Sequence, residues 1–194
     1  MRTVIVLDLC CFDFLSDDYI IGVEKGALQC LEKNIKMDLA VGDFDSIEDY
    51  HILEEKTKVI KLPKEKDMTD LAYAISKGKG KVFILGGIQG RRIEHFYSNI
   101  LLMKKNPSIE MIDQFSHIFT IDEGEYYFPY DDHKFVSFFS LSSESVISLK
   151  GFKYDLEKYN LINDDNLCIS NEIYDGLVKV HSGRVLVIKS RDDA

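Results

Sequence analysis

The chain has 194 residues, 45% hydrophobic and 29% charged, and a formal net charge of −9 at pH 7. That length builds one large domain or two small ones with a real core, and no apolar run is long enough to span a membrane as a helix. The acidic balance argues against a nucleic-acid-binding surface. It also means that any phosphate-bearing substrate has to be met by a divalent cation and a few well-placed Lys or Arg.

Residues 1–7 are too short for a signal peptide and read as a first strand, which makes a cytoplasmic location the expectation. Short β-branched runs at 3–9, 19–23, 39–41, 58–62, 81–85 and 109–112 then alternate with helical patterns at 25–33, 47–55, 69–77 and 92–105. Such alternation predicts a mostly parallel sheet covered by helices. Beyond about residue 115 the pattern changes. Strand-like runs at 118–121, 125–128, 135–141, 146–149, 167–170, 177–181 and 185–189 follow one another with little helix between them. Turn signals such as Asp122-Glu123-Gly124 and Ser182-Gly183-Arg184 punctuate them, which predicts a sandwich or barrel. Cys10, Cys11, Cys30 and Cys168 form no CxxC pair and stand near no His cluster. Reduced, buried thiols are therefore expected rather than a zinc site or a disulfide framework.

Three segments carry candidate chemistry, each after a predicted strand, where ligands of open α/β sheets bind. Gly42-Asp43-Phe44-Asp45-Ser46 offers two carboxylates, with Gly42 free to bend so that they converge on a hard cation such as Mg²⁺. The same residues also suit a plain helix start, with Ser46 as cap and the aspartates near the N-terminus. Glu65-Lys66-Asp67-Met68-Thr69-Asp70 repeats the theme. Thr69 or Asp67 caps the next helix, Asp67 and Asp70 share a helical face at a spacing of three, and Lys64 and Lys66 offset phosphate charge. Gly86-Gly87-Ile88-Gln89-Gly90-Arg91-Arg92 lets backbone N–H groups approach an anion at a helix N-terminus. It is neither a Walker A sequence nor a dinucleotide fingerprint. His51, His117, His133 and His181 have no motif around them.

In order, these segments resemble the thiamine pyrophosphokinase family. Its pattern runs Gly-Asp-Phe-Asp-Ser, Asp-x-Thr-Asp, a Gly-rich Arg-x-Asp-His turn, Gly-x-x-(Tyr/Trp), and Ser-Asn-Glu or Ser-Asn-Thr. Here these are residues 42–46, 67–70 and 87–95, then Gly151-Phe152-Lys153-Tyr154 and Ser170-Asn171-Glu172. The resemblance implies an α/β N-terminal domain with a mostly parallel sheet (1–118) carrying ATP and Mg²⁺, followed by an all-β sandwich domain (119–194) carrying thiamine. It implies a homodimer with shared active sites. Carried over, Asp43, Asp45, Asp67 and Asp70 form the catalytic acidic cluster with Arg92, and Asp43, Asp45 and Asp70 hold the metal. Ser46, Lys66, Thr69, Gly87, Gly90, Arg92 and His95 fall at the ATP site, and Tyr154, Ser170 and Asn171 at the thiamine site.

The chain departs from the pattern at three places. Val23-Glu24-Lys25-Gly26-Ala27 stands where Ala-Asp-Gly-Gly-Ala is common, Arg91 stands for Gly, and Glu94 stands for the Asp of Arg-x-Asp-His. Two rival readings use the same residues. One is a Mg²⁺-dependent phosphohydrolase or nucleotidyltransferase, indifferent to thiamine. The other is a non-catalytic relative that binds thiamine or its diphosphate.

Overall fold

The computed structural model describes residues 1–10, 12–45, 50–90 and 92–192. Cys11, Ser46, Arg91 and the first part of the predicted helix 47–55 lie outside the described residues. The chain forms two compact units, one of residues 1–102 and 111–114, the other of residues 103–110 and 115–194.

The first unit is a parallel sheet. β1 (Thr3–Val6) lies between β2 (Tyr19–Val23) and β5 (Val82–Leu85), and β3 (Leu39–Gly42) and β4 (Lys58–Lys61) extend the β2 side. The central strand Thr-Val-Ile-Val is buried at every position, as a parallel strand covered on both faces should be. Edge strand β4 carries a lysine at each end, both exposed, a charge pattern that discourages further pairing. β1 stops before the predicted residue 9 because the Leu7 and Asp8 amides both turn to the Leu85 carbonyl, each at 3.0 Å. The chain steps outward from β1 to β4 and returns to β5 on the other flank of β1. The strand order therefore reverses beside β1, opening a crevice at the carboxyl ends of the strands.

The helices are α1 (Lys25–Glu32), α2 (His51–Glu54), α3 (Asp70–Lys77) and α4 (Ile93–Lys105). α3 starts where the sequence predicts: Thr69 is its N-cap, and its hydroxyl accepts from the Ala72 amide at 3.1 Å. Val4, Val6, Cys30, Ala40, Phe44 and Leu85 belong to the buried cluster of this unit. The division between the units cuts the ends of α4 and β6 (Ile109–Ile112).

The second unit is an antiparallel sandwich. β7 (Ser116–Ile121), β13 (Val185–Ser190) and β9 (Phe135–Ser140) pair in that order. β8 (Gly124–Pro129), β12 (Asn171–Ser182), β10 (Glu144–Phe152) and β11 (Leu156–Ile162) make the other sheet. β12 belongs to both. Asn171 and Glu172 pair with Val136 and Phe135 of β9, and from Ile173 onward the strand pairs with β10. Alternate inward side chains fill the space between the sheets, including Val136, Phe138, Val187, Phe128, Leu149, Phe152 and Val178. Phe138 and Phe152 meet edge to face at 6.1 Å, a favoured aromatic geometry.

Two predicted features differ. Residues 167–170 are not a strand: they run beside β9, with the Phe138 amide donating to the Cys168 carbonyl at 2.9 Å. β11 has no counterpart among the predicted strands, because only Leu161 of Leu156–Ile162 is fully buried, while Glu157, Lys158, Asn160 and Ile162 are exposed. Cys30 and Cys168 are buried free thiols, and Cys10 is half-buried, its Sγ donating to the Ile112 carbonyl at 3.5 Å. No described helix is long and apolar enough to cross a membrane.

Candidate active site

Three acidic side chains of the first unit gather just beyond strand ends. Glu24 follows β2, Asp43 follows β3, and Asp70 opens α3. One oxygen from each lies within 4.8 Å of the others. Glu24 is held in a particular way. Its Oε1 accepts from the Asp43 amide at 2.6 Å and the Phe44 amide at 3.3 Å. Glu24 and Phe44 both adopt left-handed backbone, with φ of 51° and 54°, which costs a non-glycine residue on the order of 1–3 kcal/mol. Successive amides pointing at one anion form the concave nest that favours negative charge. Burial pushes the Glu24 carboxyl above its ordinary pKa, against those two amide bonds, and the charges of Asp43 and Asp70 add to the rise. A side chain at residue 42 would stand 2.2 Å from Glu24 Oε1. Any side chain at residue 42 would therefore push the Glu24 carboxylate from its present place.

A lysine sits among the carboxylates. Lys66 Nζ is 2.9 Å from Asp70 Oδ1 and 3.5 Å from Asp43 Oδ2, and its side chain is 15% exposed. Burial alone would lower its pKa, but the close contact with Asp70 and the charges of Asp70 and Asp43 outweigh that and hold the ammonium above its ordinary value. Asp70 Oδ1 is buried without a hydrogen bond of good direction. Among the described residues, the cation nearest to it is the Lys66 ammonium, at 2.9 Å. Three carboxylate oxygens, one of them under-satisfied, fit a hard divalent cation, which takes oxygen ligands.

Asp45 and Asp67 lie apart from this group. Asp45 is exposed, its Oδ2 is 2.9 Å from Lys64 Nζ, and the hydrogen bond from Lys64 holds its carboxyl below the usual range. Asp67 precedes Thr69, the N-cap, so it shares no helical turn with Asp70 and stays exposed.

The Gly-rich turn follows β5 as predicted. Gly86, Gly87 and Gly90 have φ of 80°, 75° and 147°. A Cβ on Gly86 would stand 2.6 Å from that of Asp8. Asn99, buried on α4, fixes the turn by donating to the Gly87 carbonyl at 3.0 Å. A cavity of about 170 Å³ opens here, lined by Asp8, Cys10, Gly86, Gly87, Gln89 and Asp113 among others. Arg92 and His95 are exposed at the start of α4. Arg92 Nε lies 2.9 Å from Glu94 Oε1, and that hydrogen bond keeps the Glu94 carboxyl below its ordinary value. Glu94 therefore stays a partner for arginine despite its extra methylene.

In the sandwich, Tyr154 and Asn171 line one apolar cavity of about 280 Å³ with Leu156, Leu167, Cys168 and Ile169. Asn171 is 4% exposed. Its Oδ1 accepts from the Tyr154 amide at 3.0 Å and its Nδ2 donates to the Tyr154 carbonyl at 2.8 Å. Ser170, with φ of 52°, gives its amide to Ser137 Oγ at 3.0 Å and is not among the lining residues. Sequence reasoning missed Glu24 and the apolar lining. The signal for Glu24 was its place after β2, where the family pattern has Asp; for Leu167 and Ile169 it was apolar residues in a segment too short and unpaired to be a strand.

Fold and site together define a class: an α/β unit with an acidic, lysine-bearing cluster and a glycine turn at its strand ends, joined to a β-sandwich with an apolar pocket. The profile of the thiamin pyrophosphokinase catalytic domain matches residues 14–112, and that of the thiamin pyrophosphokinase vitamin B1 binding domain matches residues 116–187. The thiamine pyrophosphokinase of Bacillus subtilis (strain 168) is 34% identical over 186 residues, covering 89% of this chain and 87% of that one. A crystal structure of a thiamin pyrophosphokinase family protein from Enterococcus faecalis superposes with a TM-score of 0.87 at 27% identity over all of both chains. The Bacillus subtilis crystal structure gives 0.82 at 30% identity, over 98% of this chain and 99% of the other. The chain belongs to the thiamin pyrophosphokinase family.

Proposed function

We infer that the chain is an enzyme that transfers the pyrophosphoryl group of ATP to thiamine, giving thiamine diphosphate and AMP. The observation that carries this reading is the meeting of Glu24, Asp43, Asp70 and Lys66 at the strand ends, in a chain whose two units match the catalytic and vitamin B1 binding domains of one family. The hydroxyethyl oxygen of thiamine attacks the β-phosphorus of ATP. The bond from that phosphorus to the bridging α,β-oxygen breaks, AMP leaves with the oxygen, and the hydroxyl proton is released. Such chemistry depends on in-line positioning and charge neutralisation, with little covalent work for the protein.

Glu24, Asp43 and Asp70 are the residues we assign to a divalent cation, and we name Mg²⁺ for it. When bound, that ion supplies positive charge against the phosphates. Asp45 and Asp67 stand close by in sequence and are proposed to act on the nucleotide from the rim. Asp70 is proposed to orient the attacking hydroxyl. Lys66 and Arg92 offset charge on the transferring group. The backbone of Gly87 and Gly90, with Thr69 and His95, is proposed to border the phosphates; Ser46, assigned with them, lies outside the described residues. The aminopyrimidine of thiamine is proposed to enter the apolar cavity at Tyr154 and Asn171, with Ser170 at its edge.

The acidic cluster and the apolar cavity belong to different units of the chain, while one reaction needs both. A homodimer whose subunits share active sites, as the family resemblance implies, belongs to this reading. Free, buried thiols at Cys30 and Cys168 suit a reducing compartment, and with the demand for ATP they support a cytoplasmic location. The test is an assay with ATP and thiamine that separates AMP from ADP, with and without Mg²⁺. We expect AMP and thiamine diphosphate in equal amounts and neither without a divalent ion. Phosphate release that ignores thiamine would hand the case to the phosphohydrolase reading, and binding without turnover to the non-catalytic one.

A further inference from the structure

Two lysines flank the acidic cluster, and they behave differently. Lys64 reaches outward to Asp45 with its side chain 79% exposed, whereas Lys66 is folded in, 15% exposed, touching two of the three clustered carboxylates. The ammonium contacts oxygens of the same two side chains, Asp43 and Asp70, that complete the three-carboxylate group. Its neighbour Asp70 Oδ1 has no hydrogen bond of good direction. That oxygen is held by the close ionic contact with Lys66 Nζ at 2.9 Å, a contact that another cation can replace.

We propose that Lys66 is a tethered counter-cation that fills the divalent-ion cradle until an ion arrives already bound to phosphate, and that it then turns to the phosphates. This rests on the reading of Glu24, Asp43 and Asp70 as the cation cradle. The physical reason lies in the charges. Three carboxylates within a few ångströms on an acidic protein repel one another strongly when nothing compensates them. One internal positive charge relieves that repulsion in the resting protein. A divalent ion entering alone has to displace the ammonium or sit beside it, and at such separations like charges in a partly buried site repel strongly. A nucleotide changes the balance, because its phosphates give the displaced ammonium a new anionic partner. The resting site therefore discriminates against the free ion and favours the ion–nucleotide pair.

The experiment compares Mn²⁺ binding to nucleotide-free wild-type protein and to Lys66→Met, by electron paramagnetic resonance or calorimetry. Lys66→Met is expected to bind Mn²⁺ about tenfold more tightly or better, since one competing charge is gone. Lys66→Gln, which keeps a polar end without the charge, should show the same gain, and Lys66→Met/Asp70→Asn should lose it. Saturating Mn²⁺ should also raise the melting temperature of Lys66→Met more than that of wild type. This second readout decides the matter if the variant is only marginally folded. A lysine with a merely structural role would leave Mn²⁺ affinity unchanged or weakened in both single variants, and that result overturns the proposal. The Mn²⁺ comparison needs no turnover. A protein that makes no AMP sinks the functional reading alone, while equal Mn²⁺ affinities sink this inference alone.

Discussion

The strand-end cluster of the first unit and the cavity of the sandwich solve opposite problems. In the cluster, side chains answer side chains: Lys66 meets Asp43 and Asp70, and Glu24 leans on two amides of a turn. Most of those partners are charges on rotatable stems, so an incoming ligand can replace them. In the cavity, the polar side chain of Asn171 is tied to the Tyr154 backbone by both of its ends, and the surrounding wall is apolar. Nothing there has to be displaced. The first region suits a charged group that is exchanged in each reaction cycle, and the second suits a flat, fixed-shape group that has only to fit.

The sharpest way to break this contrast is to remove charge from the cluster. Asp70→Asn or Asp43→Asn should lower kcat about 1,000-fold, because several kcal/mol of charge stabilisation is lost and each 1.4 kcal/mol is a factor of ten. The urea midpoint should stay close to that of the wild type. Asp45→Asn, on the exposed rim, should cost far less, about tenfold. Equal losses for Asp45 and Asp70, measured as AMP formation, would erase the distinction between cluster and rim.

A second variant tests whether Glu24 belongs to the exchangeable group. Gly42→Ala puts a methyl against Glu24 Oε1 and should reduce kcat by about 10- to 100-fold, as small misplacements in a site do. Adding Glu24→Asp shortens the offending side chain by one methylene and should recover part of the loss. Recovery in the double variant, absent from Glu24→Asp alone, marks steric displacement as the cause. If Gly42→Ala turns over normally, Glu24 has no part in the chemistry.

The smallest expected effect falls on the sandwich and divides shape from contact. Asn171→Ala leaves the Tyr154 amide and carbonyl without their partners, which should cost about 1–3 kcal/mol of stability in urea unfolding. The KM for thiamine should rise about fivefold with that for ATP nearly unchanged. A rise in the KM for thiamine with no loss of stability would make Asn171 a direct ligand rather than a brace.

Much of the fold can be read from β-branched runs, because strands of a covered parallel sheet are continuously apolar, and Thr3–Val6 is of that kind. β11 escaped for the converse reason: an edge strand with one buried side chain carries no such signal. Within the site, Asp43 and Asp70 announced themselves by motif and by Thr69, whose capping role follows from residue type. Glu24 read as a departure from the pattern. It joins the cluster through two left-handed residues and a missing Cβ at Gly42, conformational facts that no periodicity records. Leu167 and Ile169 looked like strand because the same apolar residues that pair in a sheet also line a pocket.

The corner in β12 carries a kinetic consequence. Asn171 and Glu172 are stitched to β9 and the next residues to β10 and β8, so one covalent strand fastens both sheets where the pocket wall begins. Amide protons on either side of that corner should exchange with solvent through a single concerted opening rather than by independent fraying. A molecule lodged beside Asn171 would then slow deuterium uptake as far away as β13, which pairs with β9 but contributes nothing to the pocket lining.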